Sequence, residues 1–184
     1  MVIAEEKYEL NGREIMFRCA NEGDAEMLID YLKTVSGETR FLLCDPDEIH
    51  FTNESEIDYI RKRNESDDSL LMLAYVDGEY AGNCSFEPGG DRRRAKHRAE
   101  IGIALFQRFA GFGLGRLMLE NLLQKIKELG YEQAELTVVS ENERAIHLYK
   151  SLGFKECGRI PNANKYADGT YADDILMVIK CSEN

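Results

Sequence analysis

A glycine-rich turn between a strand and a helix constrains this chain more than any other stretch. The segment AEIGIAL (residues 99–105) reads as a strand. Residues 114–129 carry apolar positions at helical spacing, and Gly130 follows as a stop signal. Between them lies QRFAGFGLGRLML (residues 107–119), with Gly111, Gly113 and Gly115 at the start of the helix. The first backbone N–H groups of a helix have no internal partner, and the helix dipole adds partial positive charge there. Glycine lets a ligand approach the backbone and tolerates positive φ. Together these features make an anion site, with phosphate the natural occupant. A P-loop is excluded because Arg116 and Leu117 stand where Lys-Ser or Lys-Thr is required. A dinucleotide fingerprint is excluded because the spacing is G-x-G-x-G and falls mid-chain. From the glycines alone a second reading stays open: a tight turn that lets the helix pack closely on the sheet.

The 184 residues suffice for one domain with a sizeable core, and the reading is a single domain over 1–184. No apolar run approaches membrane-spanning length, and the N-terminus lacks the basic-then-apolar order of a secretory signal. The five cysteines, 19, 44, 84, 157 and 181, are odd in number and widely spaced. They form neither a C-x-x-C pair nor a cluster with histidine, so no metal and no disulfide framework is expected. Reduced thiols fit a cytoplasmic location. His50, His97 and His147 are scattered and read as surface or packing residues. The net charge of −11 argues against broad nucleic-acid binding and would suit cationic small molecules or basic peptides, although solubility alone also accounts for it. The one basic cluster, DRRRAKHR (residues 91–98), reads as a solvated hairpin connection.

Along the chain, Asn11-Gly12 between strand-like runs is a type I′ hairpin signal, and Asp77-Gly78 marks a second. Asn21 or Asp24 caps a helix whose apolar positions are Ala25, Leu28, Ile29, Leu32 and Val35. Residues 37–51 form a polar connection crowded with Glu38, Asp45, Asp47 and Glu48. Asn53 and Glu56 read as a capping box for a short helix to about Arg63. Later come a strand at 132–140, a helix at 143–152 capped by Asn142 and closed by Gly153, a strand that starts over 154–158, and a last strand at 173–180. Hairpins followed by strand–helix–strand units give one mixed, largely antiparallel sheet with helices on its faces.

Two stretches acting together resemble the GNAT superfamily of acyl-CoA-dependent N-acetyltransferases. One is AEIGIAL with the glycine turn; the other is SENERAIHLYKSLGF (residues 140–154). In the second, Asn142, Ala145, Tyr149, Gly153 and Phe154 fall on the family pattern N-x-x-A-x-x-x-Y-x-x-x-G-F. The tail DGTYADDILM (residues 168–177) is similar to the closing hairpin of many members. One departure is Ala110, where the family usually writes Gln or Arg; a shifted frame would restore Arg108 but shorten the distance from strand to motif.

The resemblance implies an α/β (α+β) fold: a twisted mixed, largely antiparallel sheet of about seven strands, flanked by helices and splayed between its fourth and fifth strands. Here those two strands would be about 97–105 and 132–139. Acetyl-CoA would be the cosubstrate. Main-chain groups of Ile103, Ala104 and Leu105 would pair with its pantetheine, and the amides of Gly111, Phe112, Gly113, Leu114, Gly115 and Arg116 would hold its pyrophosphate. Arg108 or Arg116 would add charge. Transfer in the family is direct, an amine attacking the thioester in a ternary complex. Such an amine is mostly protonated at neutral pH, so a base is needed, along with donors for the oxyanion and an acid for the leaving thiolate. By resemblance Tyr149 is that acid, Glu100 the candidate base, the Leu105 N–H an oxyanion donor, and Asn142 a residue that orders the motif and contacts CoA. The base position that other members use falls on Thr137, a poor base. The acceptor stays open among a polyamine, an amino sugar, an amino acid and a protein N-terminus; the acidic connection favours a cationic one. No nucleic-acid or membrane partner is expected, and a homodimer follows by analogy only. The alternative reading is a non-catalytic acyl-CoA-binding sensor, which would need neither Tyr149 nor Glu100.

Overall fold

The computed structural model describes residues 1–181. It contains an eight-stranded, mostly antiparallel sheet flanked by four helices. The strands are β1 (Glu6–Leu10), β2 (Arg13–Cys19), β3 (Leu70–Val76), β4 (Glu79–Pro88), β5 (Arg98–Leu105), β6 (Gln133–Val139), β7 (Lys155–Lys165) and β8 (Tyr171–Lys180). The helices are α1 (Ala25–Glu38), α2 (Asn53–Glu65), α3 (Leu114–Glu128) and α4 (Glu143–Ser151). The count exceeds the expected seven or so by one. Two compact units divide the chain, the first made of residues 1–87 and 102–122, the second of residues 88–101 and those from 123 on.

In the first unit β1, β2, β3 and β4 follow one another in antiparallel pairs. Two of the turns are the hairpins expected from Asn11-Gly12 and Asp77-Gly78. All four residues have positive φ, at 53°, 78°, 51° and 83°, as a type I′ turn demands. The β3–β4 register shifts between Ala74 and Tyr75, so that Ala74 faces Gly82 while Tyr75 faces Tyr80. Ala81 is thus the extra residue of a bulge. Ile15, Phe17, Leu70, Met72, Leu73 and Phe86 are fully buried in this sheet, and the first half of α3 contributes Leu114, Met118, Leu119 and Leu122. Each such side chain stabilises the fold by about 1.5–3 kcal/mol through loss of apolar contact with water.

The entry to α1 is fixed by a network rather than by a single cap. Asn21 accepts from the Gly23 N–H at 2.9 Å, and Asp24 accepts from the Asn21 N–H at 2.7 Å. Arg18 donates to both Asp24 carboxylate oxygens at 2.7 and 2.8 Å and lies over the Tyr75 ring. Two local expectations change. The cap of α2 is Thr52, not Asn53: its hydroxyl accepts from the Ser55 N–H at 3.2 Å, and Ser55 Oγ accepts in return from the Thr52 N–H at 3.0 Å. In the acidic connection, Glu48 accepts from the Asp45 N–H at 2.9 Å and closes one 3-10 turn, Pro46–Glu48. Those two carboxylates therefore serve a local capping box.

In the second unit the start of β5 pairs in parallel with β6 through Arg98↔Gln133, Ala99↔Ala134 and Glu100↔Glu135, and the ladder ends there. β6 pairs antiparallel with β8 over seven positions, and β7 with β8 in a long hairpin. β7 starts where expected, continues to Lys165, and is exposed along most of its length. Its residues therefore lack the apolar alternation by which a strand is recognised. The basic cluster is a pair of tight turns, Ala95 N–H to Arg92 O at 2.7 Å and Arg98 N–H to Ala95 O at 3.1 Å; Arg92, Arg93 and Arg94 are exposed, as expected of a solvated connection, while Arg98 is half-buried and pairs with Glu135 at 2.9 Å.

Candidate functional site

The first unit carries the glycine turn. After β5 ends at Leu105, the Phe106 N–H donates to Ala81 O at 3.0 Å, so the chain leaves the sheet still held by the bulge of β4. One 3-10 turn, Gln107–Phe109, follows, and the Gln107 N–H donates to Glu38 at 2.8 Å. Gly111 and Gly113 then adopt φ of 98° and 103°, which side chains rarely tolerate. Helix α3 starts at Leu114, and its first internal bond runs from the Leu117 N–H to Gly113 O at 3.1 Å. The amides of Leu114, Gly115 and Arg116 precede that bond and lie in the first turn of the helix, where no internal backbone acceptor is available. Leu114 is fully buried and anchors the helix, while Gly111 and Gly113 are exposed, so the open side of the turn faces outward. A helix start of this geometry can receive an anion on main-chain groups.

The two arginines considered as sources of charge are both engaged. Arg108 pairs with Glu79 at 2.6 Å and lies over Phe106, 4.2 Å from the ring centre. Arg116 pairs with Glu120 at 3.2 Å. Ile103, Ala104 and Leu105 are half-buried at the end of β5. Against them lies Gly82 of β4, which the sequence reading passed over. A β-carbon at this position would stand 2.3 Å from Ala104 O and 2.8 Å from Leu105 Cα. Beside this strand end is a cleft of about 550 Å³, whose lining includes Glu26, Asp30, Tyr31, Tyr80, Phe106 and Arg108. Tyr31 meets Tyr80 and Phe106 edge-on at 5.1 and 4.9 Å.

The second unit carries the other candidates. Glu100 is exposed on β5 and forms the last pair of the β5–β6 ladder, opposite Glu135. Asn142 caps α4, its side-chain oxygen accepting from the Ala145 N–H at 3.2 Å, as expected. Tyr149 is 8% exposed on α4 and packs against Phe154 with ring centres 5.8 Å apart. Burial pushes its hydroxyl up to about 12, so it stays protonated at neutral pH and acts as a hydrogen-bond donor. The Gly153-Phe154 pair of the motif has a plain local cause. Gly153 takes φ 100°, and the Phe154 N–H closes back on Tyr149 O at 3.0 Å, ending the helix.

A profile of the acetyltransferase (GNAT) family matches residues 27–154. The crystal structure of a GNAT-family acetyltransferase from Streptococcus pneumoniae aligns with a TM-score of 0.85 at 30% identity, covering 90% of this chain and 99% of that one. The L-amino acid N-acetyltransferase AaaT of Escherichia coli K12 is 29% identical over 109 residues, 58% of this chain and 65% of its own length. The ribosomal protein bS18-alanine N-acetyltransferase of Salmonella typhimurium LT2 is 38% identical over 80 residues, 44% of this chain and 53% of its own. The chain thus spans less than two thirds of either of these two relatives. The chain belongs to the acetyltransferase (GNAT) family, whose general reaction is acetyl-CoA-dependent acetylation of an amine. Among the described residues, no helix is long and apolar enough to cross a membrane.

Proposed function

We propose that this protein transfers an acetyl group from acetyl-CoA to a primary amine by direct attack within a ternary complex. The observation that carries the reading is the start of α3, where exposed glycines of positive φ precede the first-turn amides over a buried anchor, Leu114. In this reading the amides from Gly111 to Arg116 hold the diphosphate, and main-chain groups of Ile103, Ala104 and Leu105 hold the pantetheine. Tyr149 donates to the leaving thiolate, its protonated hydroxyl suited to that task. Glu100 removes the proton from the attacking ammonium, directly or through water. The acceptor is an amine with cationic character, from a small molecule or a protein N-terminus. Glu26 and Asp30 beside the aromatic cleft favour such a ligand, and the two relatives act on α-amines by name. The protein works in the cytoplasm, which the widely spaced free cysteines support.

The test is calorimetric titration with acetyl-CoA, followed by CoA release against free amino acids, polyamines, amino sugars and peptides with a free N-terminal alanine. Binding with release on one class supports the enzyme and names its acceptor. Binding without release on any class favours a non-catalytic acyl-CoA sensor. No binding removes the phosphate reading of the turn.

A further inference from the structure

The turn of the first hairpin reaches the glycine loop from 101 positions away in sequence. The Asn11 side-chain amide donates to Phe112 O at 2.8 Å. Two residues on, the Arg13 guanidinium lies over the Phe112 ring, 5.4 Å from its centre, while pairing with Asp77 at 3.2 Å. The Leu10 methyls stand 3.8 Å from where a β-carbon of Gly113 would lie. Three residues of one hairpin turn thus meet two consecutive residues of the loop.

We infer that Asn11 is a positioning residue for the phosphate loop, with Arg13 holding the ring of the residue it positions. The argument is about one peptide plane. Phe112 C=O and Gly113 N–H belong to the same trans peptide unit and point in opposite directions. That unit turns about Phe112 ψ, which is allowed in both the helical and the extended region, and about Gly113 φ, which glycine accepts at either sign, so it is free to rotate. Rotated by half a turn, it would present a carbonyl to the anion in place of an amide, replacing attraction by repulsion. The Asn11 amide nitrogen donates to that carbonyl and so favours the orientation with the carbonyl toward the hairpin. That orientation turns the Gly113 N–H the other way. Asn11 reaches the carbonyl because its own backbone is left-handed, with φ 53°, as the hairpin turn requires. The device matters more in this chain because Ala110 offers no side-chain donor to the phosphates, so main-chain amides carry the load.

The inference rests on the reading of the glycine turn as the CoA diphosphate site, and the experiment separates the two. The full chain, Asn11→Gly, Asn11→Asp and Arg13→Gln are each titrated with CoA, and their thermal unfolding is recorded. Glycine and aspartate both accept the left-handed turn, so the hairpin survives in each. Asn11→Gly is expected to weaken CoA binding about five-fold, the worth of one hydrogen bond. Asn11→Asp is expected to weaken it more than ten-fold, because a carboxylate repels the carbonyl and favours the rotated peptide. Arg13→Gln is expected to weaken it about three-fold by freeing the Phe112 ring. Unfolding temperatures of the two Asn11 variants are expected to stay near that of the parent. A purely structural role would instead lower those temperatures and leave the CoA affinity of the folded protein unchanged, which would overturn the inference. Equal affinities for the parent and Asn11→Asp would overturn it too, while leaving the diphosphate site intact. Failure of the parent to bind CoA would overturn both.

Discussion

Gly82 lies against the carbonyl of Ala104, so closely that an added β-carbon would stand 2.3 Å from that oxygen. The colliding atom is backbone, which cannot swing aside, and Gly82 also has φ 148°. Gly82→Ala is therefore expected to push the end of β5 away from β4 and to cost about 2 kcal/mol or more, in the upper range for single substitutions. Urea unfolding checks the stability, and CoA titration checks the strand end. A variant with the parent's midpoint would mean that β4 and β5 absorb the extra carbon without moving.

Tyr149→Phe keeps the ring that packs on Phe154 and removes only the hydroxyl. Stability is expected to change little. If the hydroxyl serves the leaving thiolate, turnover is expected to fall about a hundred-fold with little change in the affinity for acetyl-CoA. Because burial pushes this hydroxyl up to about 12, an alkaline fall in the parent's rate near pH 9 comes from another group and should persist in the variant. A steady-state comparison across pH decides the matter, and an unchanged rate at neutral pH would take Tyr149 out of the acid role.

The pair at the entry to α1 sets an acid limit on stability. Burial pushes the Asp24 carboxyl up, but the hydrogen bonds from Arg18 and from the Asn21 amide outweigh it and hold it below its ordinary value near 4. A folded value below the unfolded one means that Asp24 contributes stability above pH 4 and loses it as pH falls through the folded value. Asp24→Asn is expected to cost about 2 kcal/mol at pH 7, since it leaves a largely buried guanidinium without its counter-charge. It is also expected to flatten the decline of stability between pH 4 and pH 2. Unfolding curves at several pH values measure both, and parallel acid limbs in the two proteins would show that the pair is not responsible.

What was legible in the sequence was local. Asn11-Gly12 and Asp77-Gly78 announced their hairpins because positive φ at two successive positions is a demand on residue type. Gly153 and the glycines of the turn were readable for the same reason. The Asn142 cap needed only the three residues that follow it. What escaped depended on chain segments far apart. Gly82 looks like any strand glycine until Ala104 is set beside it, and the second task of Asn11 exists only because Phe112 folds back to it. Only the start of β7 was readable, because an exposed edge strand carries no buried face to write an apolar pattern. Thr52 took the cap from Asn53 by one position, since neighbouring polar residues compete for that place and only the backbone decides.

The last prediction concerns the turn itself. A β-carbon at Gly113 would find nothing closer than the Leu10 methyls at 3.8 Å, so no collision with the protein forbids a side chain there. The obstacle is φ 103°, which a β-branched residue does not adopt without strain of about 1–3 kcal/mol. Gly113→Val must either bear that strain or move the peptide, and either response disturbs the amides at the start of α3. It also sets two methyl groups toward the Leu10 side chain, where they crowd the hairpin that contacts the loop. The expected result is a folded protein with a slightly lower unfolding temperature and a loss of CoA affinity of at least ten-fold. Gly130→Ala serves as the control. It has φ 81° and open space around it at the far end of α3, so it is expected to show comparable strain with no change in CoA binding. If both variants lose stability alike and neither loses CoA affinity, the glycines of the turn serve helix–sheet packing and the anion lies elsewhere.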